Sequence, residues 1–263
     1  MKTAIITHLN DKYIENCLLD FLPSAQKYHP DSKIIIVSVG LSEVHLNTLK
    51  QFDITIYEMP IVKSYDHTSK RLHWQNMARF LTLETDIDLF VIVDCGDVFF
   101  QDNVFNNNPL QEGIGVIEED HPADLGWSLG RINQLPLPLQ PTVINAVKNY
   151  FMVNGGGIYG YRKPFIDFCN KLQVLTDGPN IGEFFGLDQV YINYLTRTEN
   201  NIQILPSTYN FIAQSTPYYI ENDIVYEKAN QQIIKLVHNA GGRVIPRIFN
   251  GKDINKQRGN TGR

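Results

Sequence analysis

The sequence predicts an α/β fold: a mixed, mostly parallel sheet of Rossmann-like build, flanked by helices, in a single domain. Short apolar runs rich in β-branched residues alternate with segments of helical period, the pattern of βαβ units. At 263 residues the chain is long enough to bury one large core. Its 43% hydrophobic and 19% charged residues are the balance of a folded chain rather than a disordered one.

The first half shows the alternation clearly. Residues 4–7 form an expected strand, and Asp11 is placed to cap a helix in which Ile14, Cys17, Leu18 and Phe21 recur at i, i+3, i+4 and i+7 until Pro23 ends it. Strands are expected at 33–39 and 54–57, around a helix over 42–51. Trp74, Met77, Ala78 and Leu81 keep helical spacing, and residues 89–93 read as a buried strand. In the second half, 113–118 reads as a strand, while 120–141, with four prolines and no clear period, reads as a long functional loop or a substrate-side insertion. Helices are expected over 143–150, from Pro164 through Phe165, Phe168, Cys169 and Leu172, and around Leu187, Val190, Tyr191 and Tyr194. Strands are expected at 157–160, 202–205 and 233–238.

Acidic residues outnumber basic ones by 28 to 23, which argues against a general nucleic-acid binder. Charge is uneven, however. Arg243, Arg247, Lys252, Lys256, Arg258 and Arg263 face only Asp253 near the carboxyl terminus. Residues 246–263 therefore read as a basic, mobile tail and a candidate for weak contact with anionic lipid at the inner face of a membrane. Cys17, Cys95 and Cys169 are odd in number and lie far apart, which points to a reducing compartment. With no signal-peptide pattern and no run of roughly 20 apolar residues, a cytoplasmic location is expected.

The chemistry concentrates at strand ends. Asp94 and Asp97 follow the apolar run Phe90-Val91-Ile92-Val93, where ligands gather in open α/β sheets. Two such close carboxylates repel unless a cation joins them, and hard oxygen donors suit Mg²⁺ or Mn²⁺. Aspartates that merely end a strand and cap a turn have the same appearance. His238 closes another apolar strand, and an imidazole tilts a shared site toward Mn²⁺.

With these residues in order, the chain resembles glycosyltransferases of the GT-A fold, most closely the retaining family 8 related to glycogenin. Ala78-Arg79-Phe80-Leu81 is similar to a family stretch whose arginine contacts the donor. Asp94 and Asp97 are similar to the Asp-x-Asp metal motif, and Asn154-Gly155-Gly156-Gly157-Ile158-Tyr159-Gly160 to the strand beside the donor sugar. Asp188-Gln189, with Ile192, Asn193 and Leu195, looks like the Asp-Gln helix start, accompanied by Leu205-Pro206 and Tyr209-Asn210. His238, three residues before Gly241, matches the metal histidine. The resemblance covers about residues 70–245 and departs at one point: Cys95 and Gly96 both separate the aspartates, where the family has one residue, so Asp97 is the firmer of the two ligands.

The resemblance implies a nucleotide-binding half (1–105) and a donor-sugar and acceptor half (106–245). It implies transfer of a sugar, with retention, from a nucleotide-sugar such as a UDP-sugar to a glycan, lipid-linked or protein acceptor. The implied metal ligands are Asp94, Asp97 and His238, holding Mn²⁺ or Mg²⁺. The implied donor contacts are Thr7, Asn10, Arg79, Asp94, Asn154, Gly155, Gly156, Asp188, Gln189, Gly241 and Arg243. Asp188 and Gln189 are the catalytic candidates. Inversion would instead need a base, for which Asp188 or Glu183 is the candidate. Glu118, Glu119, Asp120, His121 and Trp127 fall on the acceptor side. The competing readings are a sugar nucleotidyltransferase, which normally carries a glycine-rich basic loop missing from 7–12, and a non-catalytic nucleotide-sugar-binding protein.

Overall fold

Strand β1 (Thr3–Leu9) is apolar on both faces, Ala4 and Ile6 toward one core and Ile5 and Leu9 toward the other, and such a strand must lie inside a sheet covered on both sides. The computed structural model, which describes residues 1–38, 40–59, 69–176, 186–214, 216–240, 245, 248–249 and 252–253, places it there. The strands that follow are β2 (Lys33–Ser38), β3 (Thr55–Glu58), β4 (Leu89–Asp94), β5 (Val98–Phe100), β6 (Ile114–Pro122), β7 (Phe151–Tyr161) and β8 (Ile202–Ile204). Seven of them form a sheet in the order β3-β2-β1-β4-β7-β6-β8. All its neighbours pair in parallel except those of β7, which runs against both β4 and β6. The α/β expectation is met.

Helices cover both faces because the strands alternate. Ile35, Phe90 and Ile92 pack with α4 (Ser69–Leu83), α7 (Arg162–Thr176) and α8 (Leu187–Thr198) through Trp74, Phe80, Phe165, Phe168 and Ile192. Ile34, Ile36, Val91 and Val93 meet Cys17, Phe21, Leu22, Leu46 and Leu49 on the opposite side. Phe90 and Phe165 join edge to face with centroids 4.9 Å apart, a favourable aromatic geometry. Cys17, Cys95 and Cys169 are buried free thiols. Among the described residues, no helix is long and apolar enough to cross a membrane.

Several expected boundaries move. Asn10, not Asp11, caps the first helical turn, its side chain accepting the Lys12 N–H at 3.1 Å. Asp11 instead accepts from the Ser42 backbone at 3.0 Å and contacts His45 at 2.7 Å. Pro23 does not end the helix. The chain runs from a 3-10 turn (Asp11–Tyr13) through α1 (Ile14–Asn16) and a π turn (Cys17–Phe21) into α2 (Leu22–Tyr28). The wider π turn immediately before Pro23 gives room to a ring that would crowd the carbonyl four residues back. Ser24 Oγ then bonds the Asp20 and Phe21 carbonyls at 2.7 and 2.9 Å.

The segment 120–141 is not a loop. β6 continues to Pro122, α5 spans Gly126–Ile132 and α6 spans Gln140–Val147, so the helix expected over 143–150 starts and stops earlier. Pro141 occupies the first turn of α6, where its missing N–H costs nothing. Pro164 likewise lies in the first turn of α7, two residues after its start. The strand expected at 233–238 shrinks to β12 (Leu236–His238), which lies between β5 and β9 (Phe211–Ile212) in a second, three-stranded sheet. A hairpin of β10 (Tyr218–Glu221) and β11 (Ile224–Glu227) was not foreseen; Asn222 and Asp223 form its turn with φ of 49° and 63°. Of the basic tail, Ile248–Phe249 and Lys252–Asp253 are described, as an antiparallel pair.

His29 is a buried histidine held neutral. Its Nδ1–H donates to the Ala25 carbonyl at 3.2 Å and its Nε2 accepts the Val104 N–H at 3.0 Å. Burial pushes its pKa down to about 4. The unfolded chain, titrating near 6.5, binds the extra proton, so the stability from neutral His29 is complete above that pH and drains away toward pH 4. About 3 kcal/mol is at stake. In urea titrations at pH 7.5 and 4.5, His29→Gln is expected to lose markedly less stability on acidification than the wild type. Equal losses would assign the acid sensitivity elsewhere.

Candidate metal centre

β1 and β4 run parallel as neighbours, while β2 and β3 extend from β1 on the other side. The crevice beyond the carboxyl ends of such a pair is where open α/β sheets collect ligands. Asp94 is the last residue of β4, and a three-residue turn separates it from β5. β5 pairs antiparallel with β12, which sets Val98 opposite His238. The Asn239 N–H also donates to the Asp97 carbonyl at 2.8 Å. One ligand atom each from Asp94, Asp97 and His238 thus falls within 4.8 Å of the others. The two residues between the aspartates do not keep them apart.

That turn is pinned from three sides. Cys95 Sγ–H donates to the His8 carbonyl at 3.0 Å, Asn16 donates to the Gly96 carbonyl, and the Tyr13 ring lies against Gly96. A Cβ on Gly96 would stand 2.8 Å from that ring.

The other wall is β7. A Cβ on Gly156 would lie 2.4 Å from His238 Cε1 and 2.7 Å from Asp94 Oδ2, and one on Gly157 would lie 2.4 Å from Asn210 Cγ. These glycines are therefore what lets the sheet pass directly beneath the cluster.

A polar relay fixes the imidazole. Glu119 as a carboxylate only accepts, so Asn154 turns its amide nitrogen to it, 2.7 Å away. Asn154 Oδ1 then accepts from Asn210 Nδ2 at 3.0 Å, and Asn210 Oδ1 faces His238 Nδ1 at 3.0 Å. The relay makes Nδ1 the N–H donor and leaves Nε2 directed at Asp97, 3.3 Å from its Oδ1. An outer hydrogen bond of this kind is what metal-binding histidines use to fix their tautomer. Tyr159 secures the relay by donating to the Tyr209 carbonyl at 2.7 Å.

The residues fit a divalent cation on two grounds. Two carboxylates and one imidazole are a donor set suited to Mn²⁺, and Asp97 Oδ1 is shielded from solvent with no aligned hydrogen bond among the described residues. Burial works against a charged His238. The carboxylates of Asp97, Asp94 and Glu119 outweigh it and hold the pKa above the ordinary histidine value. His238 therefore takes up a proton more readily than an ordinary histidine.

The other expected site residues are distributed unevenly. Asn154, Gly155 and Gly156 lie on β7 at the cluster, and Gln189 reaches it through Glu119, 3.4 Å away, and the Val153 carbonyl at 3.0 Å. Thr7 is wholly buried and donates to the Val93 carbonyl at 2.7 Å, stapling β1 to β4. Asp188 is buried at the start of α8, where it accepts the Trp74 indole N–H at 3.4 Å. Arg79 is exposed on α4. Gly241, Arg243 and Glu183 lie outside the described residues.

Three participants had no role assigned from sequence. Asn210 had appeared only within a motif, Glu119 only on the acceptor side, and Tyr13 not at all. No known protein family matches the chain, and no curated protein matches it.

Proposed function

We propose that the chain is a divalent-cation-dependent glycosyltransferase using a nucleoside-diphosphate sugar, with a UDP-sugar as donor and Mn²⁺ as the preferred ion. The observation that carries this reading is the convergence of Asp94, Asp97 and His238 beside a strand kept bare by Gly155, Gly156 and Gly157. A cation held by these three residues would supply Lewis-acid neutralisation of the leaving diphosphate. The bare strand lets Asp94 and His238 close directly over it, and Asn154 and Gln189 border the cluster with amides. Tyr13, partly exposed at the mouth, offers a ring face for a nucleobase. The resemblance to family 8 adds retention of anomeric configuration, which NMR of the product would read.

The test is a panel of nucleotide sugars screened by thermal shift with and without Mn²⁺. The productive donor at a hundredfold excess over its Kd is expected to raise Tm by roughly 5–10 °C, only with the metal present. If no nucleotide sugar shifts Tm, the proposal fails. Because the cation must displace the proton that His238 attracts, Mn²⁺ affinity is expected to fall by about tenfold per pH unit on the acid side. A pH-independent affinity, measured by calorimetry from pH 5 to 8, would remove His238 from the ligand set.

A further inference from the structure

Cys95 stands between the two aspartates of the candidate metal centre and turns the other way. It is 2% exposed and packs in the core beneath the turn, whereas Asp94 is exposed and Asp97 half-buried. Cys17, wholly buried where the π turn begins, belongs to the same core, and its thiol contacts the Cys95 sulfur. The backbones are tied together beside the two thiols, because Asn16 donates to the Gly96 carbonyl. Cys169 packs in the core on the opposite side of the sheet and takes no part.

We propose that Cys17 and Cys95 close into a reversible disulfide and that closure releases the divalent cation, which makes the pair a redox switch on the metal centre. The proposal rests on the reading of Asp94, Asp97 and His238 as metal ligands.

The oxidant is a hydroperoxide, with hydrogen peroxide as its smallest member. Gly96 has no side chain, and the Tyr13 ring against it is 37% exposed, so Cys95 lies one turn of backbone below the surface. In the first step the Cys95 sulfur attacks one peroxide oxygen and the O–O bond breaks. The thiol proton leaves with the other oxygen as water, and Cys95 is then a sulfenic acid. In the second step the Cys17 sulfur attacks the Cys95 sulfur and displaces its hydroxyl, which takes the Cys17 proton and departs as a second water. Two electrons pass from the pair of sulfurs to the peroxide. A dithiol reductant returns them by exchange.

Closure reaches the metal ligands through the backbone. An S–S bond of ~2.05 Å is far shorter than the contact between two separate sulfur atoms, so one or both residues must move. Cys95 also gives up the proton that it donates to the His8 carbonyl, which loses one of the three ties on the turn. Residue 95 is then drawn toward the π turn, and Asp94 and Asp97 flank it directly. Ligand atoms that lie within 4.8 Å of one another are pulled out of that arrangement.

The test begins with folded protein treated with hydrogen peroxide, then denatured in an alkylating agent and digested. Of the three thiols, only Cys169 is expected to take up the label, and mass spectrometry should find the Cys17 and Cys95 peptides linked. Mn²⁺ affinity, read by electron paramagnetic resonance, is expected to fall about tenfold or more, on the scale that disturbed groups around a metal cost, and to return with dithiothreitol. Cys17→Ser should bind Mn²⁺ as the wild type does before oxidation and yield no linked peptide after it, while dimedone traps its Cys95 as the sulfenic acid. Cys169→Ser should switch as the wild type does. The proposal is overturned if oxidised protein keeps three free thiols, if the link involves Cys169, or if the linked protein binds Mn²⁺ with unchanged affinity. Reduced protein that binds no Mn²⁺ strikes the metal-ligand reading instead. The thiol count would then still decide whether the pair oxidises.

Discussion

Asp97→Asn is expected to lower Mn²⁺ affinity by more than about 100-fold, beyond the ~10–100-fold that the loss of an outer-shell partner costs. The substitution keeps the shape and removes the charge. His238 Nε2, aimed at this position by the relay from Glu119, would accept a hydrogen bond from the new amide. The imidazole lone pair needed for the cation would then be occupied. The fold should survive, because the backbone bond from Asn239 to residue 97 does not involve the side chain. Titration of free Mn²⁺ by electron paramagnetic resonance, with circular dichroism as a check on folding, gives the answer. Wild-type Mn²⁺ binding by a folded Asp97→Asn protein would exclude Asp97 as a ligand.

The second large effect is expected on the opposite wall. Gly156→Ala places a methyl 2.4 Å from His238 Cε1, well inside the distance real carbon atoms tolerate. His238 cannot turn aside without breaking its bond to Asn210, and the same methyl would stand 2.7 Å from Asp94 Oδ2. Either β7 moves or the cluster opens. The overpacking should cost about 1–3 kcal/mol, and Mn²⁺ binding should be lost with it. Gly155→Ala is the internal comparison, because its methyl would meet only the flexible end of Ile192 at 3.3 Å. That variant should lose little stability. If the two alanine variants prove equally stable and Gly156→Ala still binds Mn²⁺, the strand does not need to be bare beneath the site.

What could be read in advance follows from the range of the physics. β1, β4 and α7 are visible in the sequence because burial leaves a local mark, an unbroken apolar run in a strand covered on both faces and a 3.6-residue period in a helix. The aspartates and His238 are visible because strand ends mark themselves by an abrupt change from apolar to polar. The relay leaves no such mark, since its bonds join residues 28 to 56 positions apart. Each member alone is an ordinary polar residue, and only the pairing of β12 with β5 and of β7 with β6 brings them together. The helices α5 and α6 were hidden for a different reason. Pro136, Pro138 and Pro141 read as breakers, yet two lie in the connection and the third in a helix's first turn. At Pro23 the signal was correct and the inference from it was not, because a π turn lets the helix continue.

The reversed direction of β7 has a consequence for how this protein can be re-engineered or can diverge. Since β6 runs with β4 and β7 runs against both, the chain leaves β6 and re-enters β7 at the same rim of the sheet as Asp94. Residues 123–150, with α5 and α6, are therefore a cassette anchored at both ends by one antiparallel pair. Exchanging it would change the helices that pack on α8 without altering the register of any other strand. That stretch can diverge as one contiguous unit while Asp94 at the end of β4, Asp97 in the turn that follows and His238 on β12 stay untouched.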